Sequence, residues 1–220
     1  SVSESFAVCE WFVLCFLRRQ NNGWLSLLLH VVSTFLTLTL IPGSIYMSNW
    51  MEGYATTEPY TKTYFRELNP NYAAFSLLCA GIQPPKIKAA CELGFGFGMS
   101  INHHASTQKI NWYGNDYNPT QKNFAQYIST LCNSGAVLTE KSFAQLSGNC
   151  DWPKFDYIAL HGIWSWISEE NQAYITDFIA EYLSDDGIVY ISYNVSPGAL
   201  AFSPVRDLMK QYFDYGTAKG

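Results

Sequence analysis

The sequence predicts a doubly wound α/β domain, a parallel sheet with helices on both faces. Three observations carry that expectation. From residue 69 onward, short apolar runs alternate with segments of helical period, the pattern of repeated strand–crossover–strand units. Gly94, Gly96 and Gly98 follow the first apolar run, and an acid, Asp116, stands just past the second. Right-handed crossovers place such positions at the carboxyl ends of central strands, where open parallel sheets hold ligands.

The elements follow in order. Asn69-Pro70 starts a helix whose expected inner face is Ala74, Phe75 and Leu78, and Gly81 stops it. Pro84-Pro85 leads stiffly into a first strand, Ile87 to Leu93, and a helix follows the glycines. The second strand spans Ile110 to Tyr113. Asn118-Pro119 opens a helix with Phe124, Ile128 and Leu131 at i, i+4 and i+7. A third strand is expected near Ala136–Leu138 and a fourth over Phe155–Leu160. Ser168 caps a helix carrying Ile175, Phe178, Ile179, Tyr182 and Leu183 on one stripe. Asp185-Asp186-Gly187 turns into a fifth strand, Ile188–Tyr193, and a last helical pattern begins at Pro204.

Residues 1–46 differ in character from the rest. The run Trp24–Ile41 carries no formal charge and follows Arg18-Arg19, which makes a signal-anchor helix one reading. Ser26, His30, Ser33, Thr34, Thr37 and Thr39 dilute its apolarity, and Met47 stands where the composition shifts. The favoured reading is therefore upstream or artefactual sequence joined to a domain that starts near Met47. The expected organisation is an apolar extension over 1–46, an N-terminal segment and helix over 47–86, and a ligand-binding domain over 87–220. The expected compartment is the cytoplasm, with membrane anchoring through residues 24–41 as the alternative.

Composition narrows the function. A net charge of −5 with no Lys/Arg-rich run argues against nucleic acid as the main partner. None of the six cysteines forms a C-x-x-C pair or a zinc-spaced cluster, so they read as reduced, half-buried small residues and no metal is expected. His103-His104 lacks a third ligand nearby. Glu169-Glu170 complements a helix N-terminus, and Asp185-Asp186 is a solvated turn.

The segment ACELGFGFG (90–98) discriminates among nucleotides. A dinucleotide loop reads G-x-G-x-x-G, whereas here the spacing is G-x-G-x-G and Met99 follows. Glu92 would repel a pyrophosphate in a low-dielectric crevice but suits an ammonium group. The order strand, E-x-G-x-G-x-G, helix, strand, Asp therefore favours a ligand with a cationic amino-acid tail. Asp116 is placed to accept the hydroxyls of a ribose, with a local N-cap as its structural alternative.

The segments TEPYTKTYFRELNP (57–70), ACELGFGFGMSINHHA (90–105), WYGNDYNPTQ (112–121), FDYIALHGIWSWIS (155–168) and GIVYISYNVSPG (187–198) resemble class I S-adenosylmethionine-dependent methyltransferases. Within that class they are similar to a bacterial branch named for a methyltransferase regulatory domain, which includes protein-lysine methyltransferases. The resemblance covers about Met47 to the C-terminus. It implies a Rossmann-like domain whose cofactor is S-adenosyl-L-methionine, with Glu92, Gly94, Gly96 and Gly98 on the methionine tail and Asp116 on the ribose. It implies Ser142 and Phe143 beside the adenine with Tyr117 nearby, and His161 and Gly162 where donor and acceptor meet. Tyr60 and Tyr64 would belong to a lid over the cofactor. Two departures accompany it: Lys141 stands where relatives carry an acid toward the adenine amine, and the sequence ends before the antiparallel hairpin that completes the class. The fifth strand is accordingly expected to be a bare edge, and the natural protein to continue past Gly220.

His161 is the candidate base and Tyr193, at the end of the fifth strand, the candidate orienter of the acceptor. Trp164 and Trp166 are either plain packing or a wall for a cation. The expected acceptor is protein lysine or a small molecule. The rival readings are a nicotinamide-dependent oxidoreductase and a cofactor-binding module that does not turn over.

Overall fold

The computed structural model describes residues 12–20, 23–29, 50–51, 54–55, 61–148 and 151–194, with Pro204 and Leu208. Strands β1 (Phe12–Gln20) and β2 (Gly23–Leu29) come first, then the two-residue strands β3 (Trp50–Met51) and β4 (Tyr54–Ala55). A 3-10 turn, Arg66–Leu68, leads into α1 (Pro70–Cys79). There follow β5 (Ala89–Leu93), α2 (Met99–Thr107), β6 (Asn111–Asn115), α3 (Pro119–Cys132), β7 (Val137–Thr139) and α4 (Phe143–Gly148). The last elements are β8 (Phe155–His161), a 3-10 turn at Trp164–Trp166, α5 (Glu169–Tyr182) and β9 (Leu183–Asn194).

The main sheet has the order β2-β1-β9-β8-β5-β6-β7. Its five strands β9, β8, β5, β6 and β7 are all parallel, as the sequence leads one to expect. Chain order runs outward from β5 through β6 to β7, then restarts on the other side with β8. That reversal puts a crevice at the carboxyl ends of β5 and β8.

The expected bare edge is not there. β1 pairs antiparallel with β9 from Phe12 opposite Asn194 to Arg18 opposite Ile188, and β2 pairs antiparallel with β1. Backbone groups of β9 are thereby satisfied on both sides. The membrane-helix reading of residues 24–41 also meets a correction, because Gly23–Leu29 is a strand; residues 30–41 lie outside the described ones. No helix among the described residues is long and apolar enough to cross a membrane. The helical pattern expected from Pro204 lies outside the described residues except at Pro204 and Leu208, which are helical.

Strand alternation divides the core into two apolar clusters. Ala90, Tyr157, Ala159, Ile188 and Tyr190 pack with Leu68, Ala73, Leu77 and Ile101. Their neighbours Cys91, Leu93, Ile158, Leu160, Val189 and Ile191 pack with Phe143, Leu146, Ile175, Phe178, Ile179 and Tyr182. The period of two sends successive side chains to opposite faces. The α5 stripe is thus buried as its spacing predicts.

Two helices are rotated from their expected phase. In α1 the inward residues are Ala73 and Leu77, while Phe75 is 65 % and Leu78 54 % exposed. In α3 they are Ala125 and Ser129, and Leu131 faces solvent. The reason in α3 is close approach: a Cβ on Gly98 would lie 2.4 Å from that of Ala125, a fit only small residues allow. Asn102 seals the contact, donating from Nδ2 to the carbonyls of Gly98 and Ala125, both at 2.9 Å. Its Oδ1 accepts from Ser134 Oγ at 2.7 Å, and Ser134 bonds Ser129 at 2.8 Å. Asp185-Asp186-Gly187 is not a separate turn. It lies within β9 as an irregularity, since pairing with β8 jumps from Phe155–Leu183 to Tyr157–Ile188.

Asn102→Ala would remove three buried side-chain hydrogen bonds, those to the Gly98 and Ala125 carbonyls and the one from Ser134 Oγ. Urea unfolding is expected to show a loss of about 3 kcal/mol with an unchanged slope.

Candidate functional site

Strand β5 ends in Glu92-Leu93, and the next five residues turn through three glycines with positive φ: 70° at Gly94, 57° at Gly96 and 70° at Gly98. This is the left-handed region, which side chains with a Cβ enter at a cost. A Cβ on Gly94 would also lie 2.3 Å from Ile163 Cδ1. The turn therefore runs close beneath the segment that follows β8.

Asp116, just past β6, fastens the loop. Its Oδ2 accepts from the Gly96 N–H at 2.7 Å and its Oδ1 from the Asn118 N–H at 2.9 Å. The Gly94 N–H donates to the Asn115 carbonyl at 2.7 Å. Burial raises the Asp116 carboxyl to about 6 in spite of the two N–H groups, which pull the other way. Asn115, which the sequence reading passed over, clamps the next loop. It donates to the Lys141 carbonyl at 2.8 Å and accepts from the Lys141 N–H at 2.9 Å. An Asn at the end of a strand is too common to single out without the facing loop.

Glu92 is 3 % exposed, and its Oε2 has no hydrogen-bond partner. Desolvation first, and the nearby Asp116 charge second, raise its carboxyl to about 8. An unpaired buried acid is costly, so a cation beside it would relieve a standing penalty.

Past β7, Ser142 and Gln145 form a reciprocal cap on α4: the Ser142 N–H donates to Gln145 Oε1 at 2.9 Å, and the Gln145 N–H to Ser142 Oγ at 3.2 Å. Phe143 is buried among Leu146, Phe155 and Ile158, and Tyr117 packs partly buried against the same cluster.

At the end of β8, His161 is buried, with Nδ1 3.1 Å from both Tyr190 Oη and Ser192 Oγ. The Gly162 N–H donates to the same Ser192 oxygen at 2.9 Å. Burial lowers the imidazole to about 4, against an opposing pull from Glu67. The partners are thus Tyr190 and Ser192. Tyr193 lies on the other face of β9, against the α5 cluster, because side chains two apart share a face and adjacent ones do not.

The segment before α1 closes one side. Phe65 places its ring centroid 4.4 Å from that of His161, and its N–H donates to Ser100 Oγ at 2.9 Å, at the start of α2. Tyr64 sets its hydroxyl 3.3 Å from His104 Nε2. Lys62 lies over the rings of Phe97 and Phe124, 5.0 and 4.3 Å from their centroids. Tyr60 lies outside the described residues. Trp164 packs partly buried against the α5 cluster, whereas Trp166 is exposed.

No protein-family model matches the chain. It is 36 % identical over 168 residues to an uncharacterised protein of Synechocystis, covering 74 % of this chain and 33 % of that protein. An uncharacterised protein of Rickettsia prowazekii is 31 % identical over 155 residues, 69 % of this chain and 61 % of its own length. Among solved structures, PKMT2 from Rickettsia typhi in complex with AdoHcy superposes with a TM-score of 0.61 at 28 % identity, over 69 % of this chain and 29 % of that one. PKMT2 in a second structure gives 0.62 at 27 %. The chain thus spans about a third of the Synechocystis relative and of PKMT2. Its fold is the Rossmann-like fold of the class I methyltransferases.

The Glu92 carboxyl titrates above its ordinary range when folded. Between pH 4.5 and about 8 the unfolded chain releases this proton while the folded chain keeps it, so stability falls across that window and is level above it. Glu92→Gln should melt with the native chain at pH 4.5 and several degrees above it at pH 8, as followed by circular dichroism.

Proposed function

We propose that this domain binds S-adenosyl-L-methionine and delivers its methyl group to a nitrogen or oxygen nucleophile, with protein lysine the leading acceptor. The observation that carries the reading is the buried carboxyl of Glu92 at the mouth of the glycine loop, whose Oε2 has no hydrogen-bond partner. It fits an ammonium group and disfavours the pyrophosphate of a dinucleotide. The complex of PKMT2 with AdoHcy supports the same ligand class.

S-adenosyl-L-methionine supplies a sulfonium-borne methyl, which an acceptor lone pair takes in line as the C–S bond breaks. The chain's contribution is alignment, which can lower a barrier by several kcal/mol (~7 at best) when reacting atoms are held about 3 Å apart. In this reading Glu92 holds the amino end of the donor. Gly94, Gly96 and Gly98 let the backbone approach, and Asp116 takes the ribose while holding the loop through Gly96. Ser142, Phe143 and Tyr117 border the adenine end, with Tyr64 beside the segment that covers the loop. His161 and Gly162 line the transfer region. With its imidazole at about 4, His161 is unprotonated throughout the neutral range but weakly basic. Its role is to position, through Tyr190 and Ser192, more than to store a proton.

Calorimetric titration with S-adenosylmethionine is expected to show one site, lost in Asp116→Ala and in Gly96→Val. Affinity should rise with pH from about 6 to about 8 as Asp116 and then Glu92 ionise. The upper part of that rise should vanish in Glu92→Gln. Unchanged binding in all three variants would contradict the reading.

A further inference from the structure

The turn Arg66–Leu68 packs against β8. Phe65 on one side lies against His161, and Leu68 on the other is buried with Tyr157 and Tyr190. Glu67 lies between these two anchors. Its side chain is 28 % exposed, and its Oε1 accepts from Arg66 Nε at 3.0 Å, while the Arg66 side chain is 77 % exposed. The carboxylate is therefore held at a boundary, with an open, solvated cation on one side and a neutral polar cluster on the other.

That cluster is uncharged at neutral pH. Burial keeps the His161 imidazole unprotonated and raises the Tyr190 phenol above its usual range. The Glu67 charge raises both groups, so its field reaches the place where His161, Tyr190 and Ser192 converge. A negative field at a partly desolvated mouth attracts cations and works against anions. A solvent-exposed arginine is a partner that an incoming ammonium can displace at small cost, since exposed pairs contribute about 0–1 kcal/mol.

We propose that Glu67 is the specificity residue of this site, selecting a cationic amine acceptor over a neutral hydroxyl or an anionic one. The proposal rests on the methyltransferase reading and names the charge class its acceptor carries. Glu67 selects rather than deprotonates, because a carboxylate beside an ammonium favours the charged form. The proton leaves to solvent before the lone pair can act. The Phe65 ring and the neutral His161–Tyr190 pair then hold an uncharged amine without competing for it.

The test uses the full chain with S-adenosylhomocysteine present, a dye-labelled octalysine as probe and fluorescence anisotropy as the readout. Glu67→Gln should weaken octalysine binding about fivefold. Asp177→Asn, which removes an equal charge from the exposed face of α5, should change it less than about twofold. Arg66→Gln, which frees the carboxylate, should tighten it, and this variant keeps the question answerable should Glu67→Gln fold poorly. Equal effects of Glu67→Gln and Asp177→Asn, or no tightening in Arg66→Gln, would overturn the proposal. Calorimetry with S-adenosylmethionine separates the two levels. Donor binding intact in Glu67→Gln with octalysine binding unmoved sinks the Glu67 assignment alone. No donor binding in the native chain sinks the methyltransferase reading and this one with it.

Discussion

The site depends on one buried carboxylate that serves two loops. Asp116 accepts from Gly96 in the turn after β5 and from Asn118 at the start of α3, and so fixes both walls of the crevice. Without it, a turn with three left-handed glycines would be held only by the backbone bonds of Gly94 to Asn115 and Gly98 to Phe95, and glycine gives up the most freedom on ordering. The bond is charge-assisted and out of water, the setting in which such a contact is strongest. Asn115 repeats the device one residue earlier by clamping Lys141 from both backbone groups. A two-residue stretch at the end of β6 thus sets three loops.

Glu92 is the counterpoint, a group the fold tolerates rather than uses. Its unpartnered oxygen and raised pKa mark a position where stability has been given up. That is the pattern expected where a site must be complementary to something that arrives later. The neutral cluster of His161, Tyr190 and Ser192 is the opposite case. Its groups satisfy one another under Phe65, so little is left there for a charge to compensate. A donor end that asks for a cation suits the ammonium of a methionine tail, and at the transfer end the charge stands beside the neutral cluster, on Glu67.

Much of this was legible in the sequence where the governing chemistry is local. Asn69-Pro70 and Asn118-Pro119 begin helices because an Asn side chain accepts from the first free N–H groups and Pro fits the first turn. The glycine turn, Asp116 and the buried α5 stripe were readable for similar reasons. What escaped was set by partners far along the chain. The phase of α1 and α3 is not legible locally: the large apolar residues Phe75 and Leu131 face solvent, while Ala73 in α1 and Ala125 against Gly98 in α3 face inward. That Tyr190 shares the His161 face while Tyr193 takes the other was not legible, because parity along β9 is decided by its pairing with β8, which slips at Asp185–Gly187. The pairing of β1 with β9 joins segments at the two ends of the chain, and no local pattern announces such a register.

The central claim is that Glu92 and Asp116 hold the methionine amine and the ribose of S-adenosylmethionine in one site. A crystal structure of the chain with S-adenosylhomocysteine tests it most directly. The account predicts the ligand's amino group within hydrogen-bond distance of the Glu92 carboxylate and its ribose hydroxyls on Asp116. A ligand seated elsewhere, or Glu92 still unpartnered with the crevice filled, would contradict it.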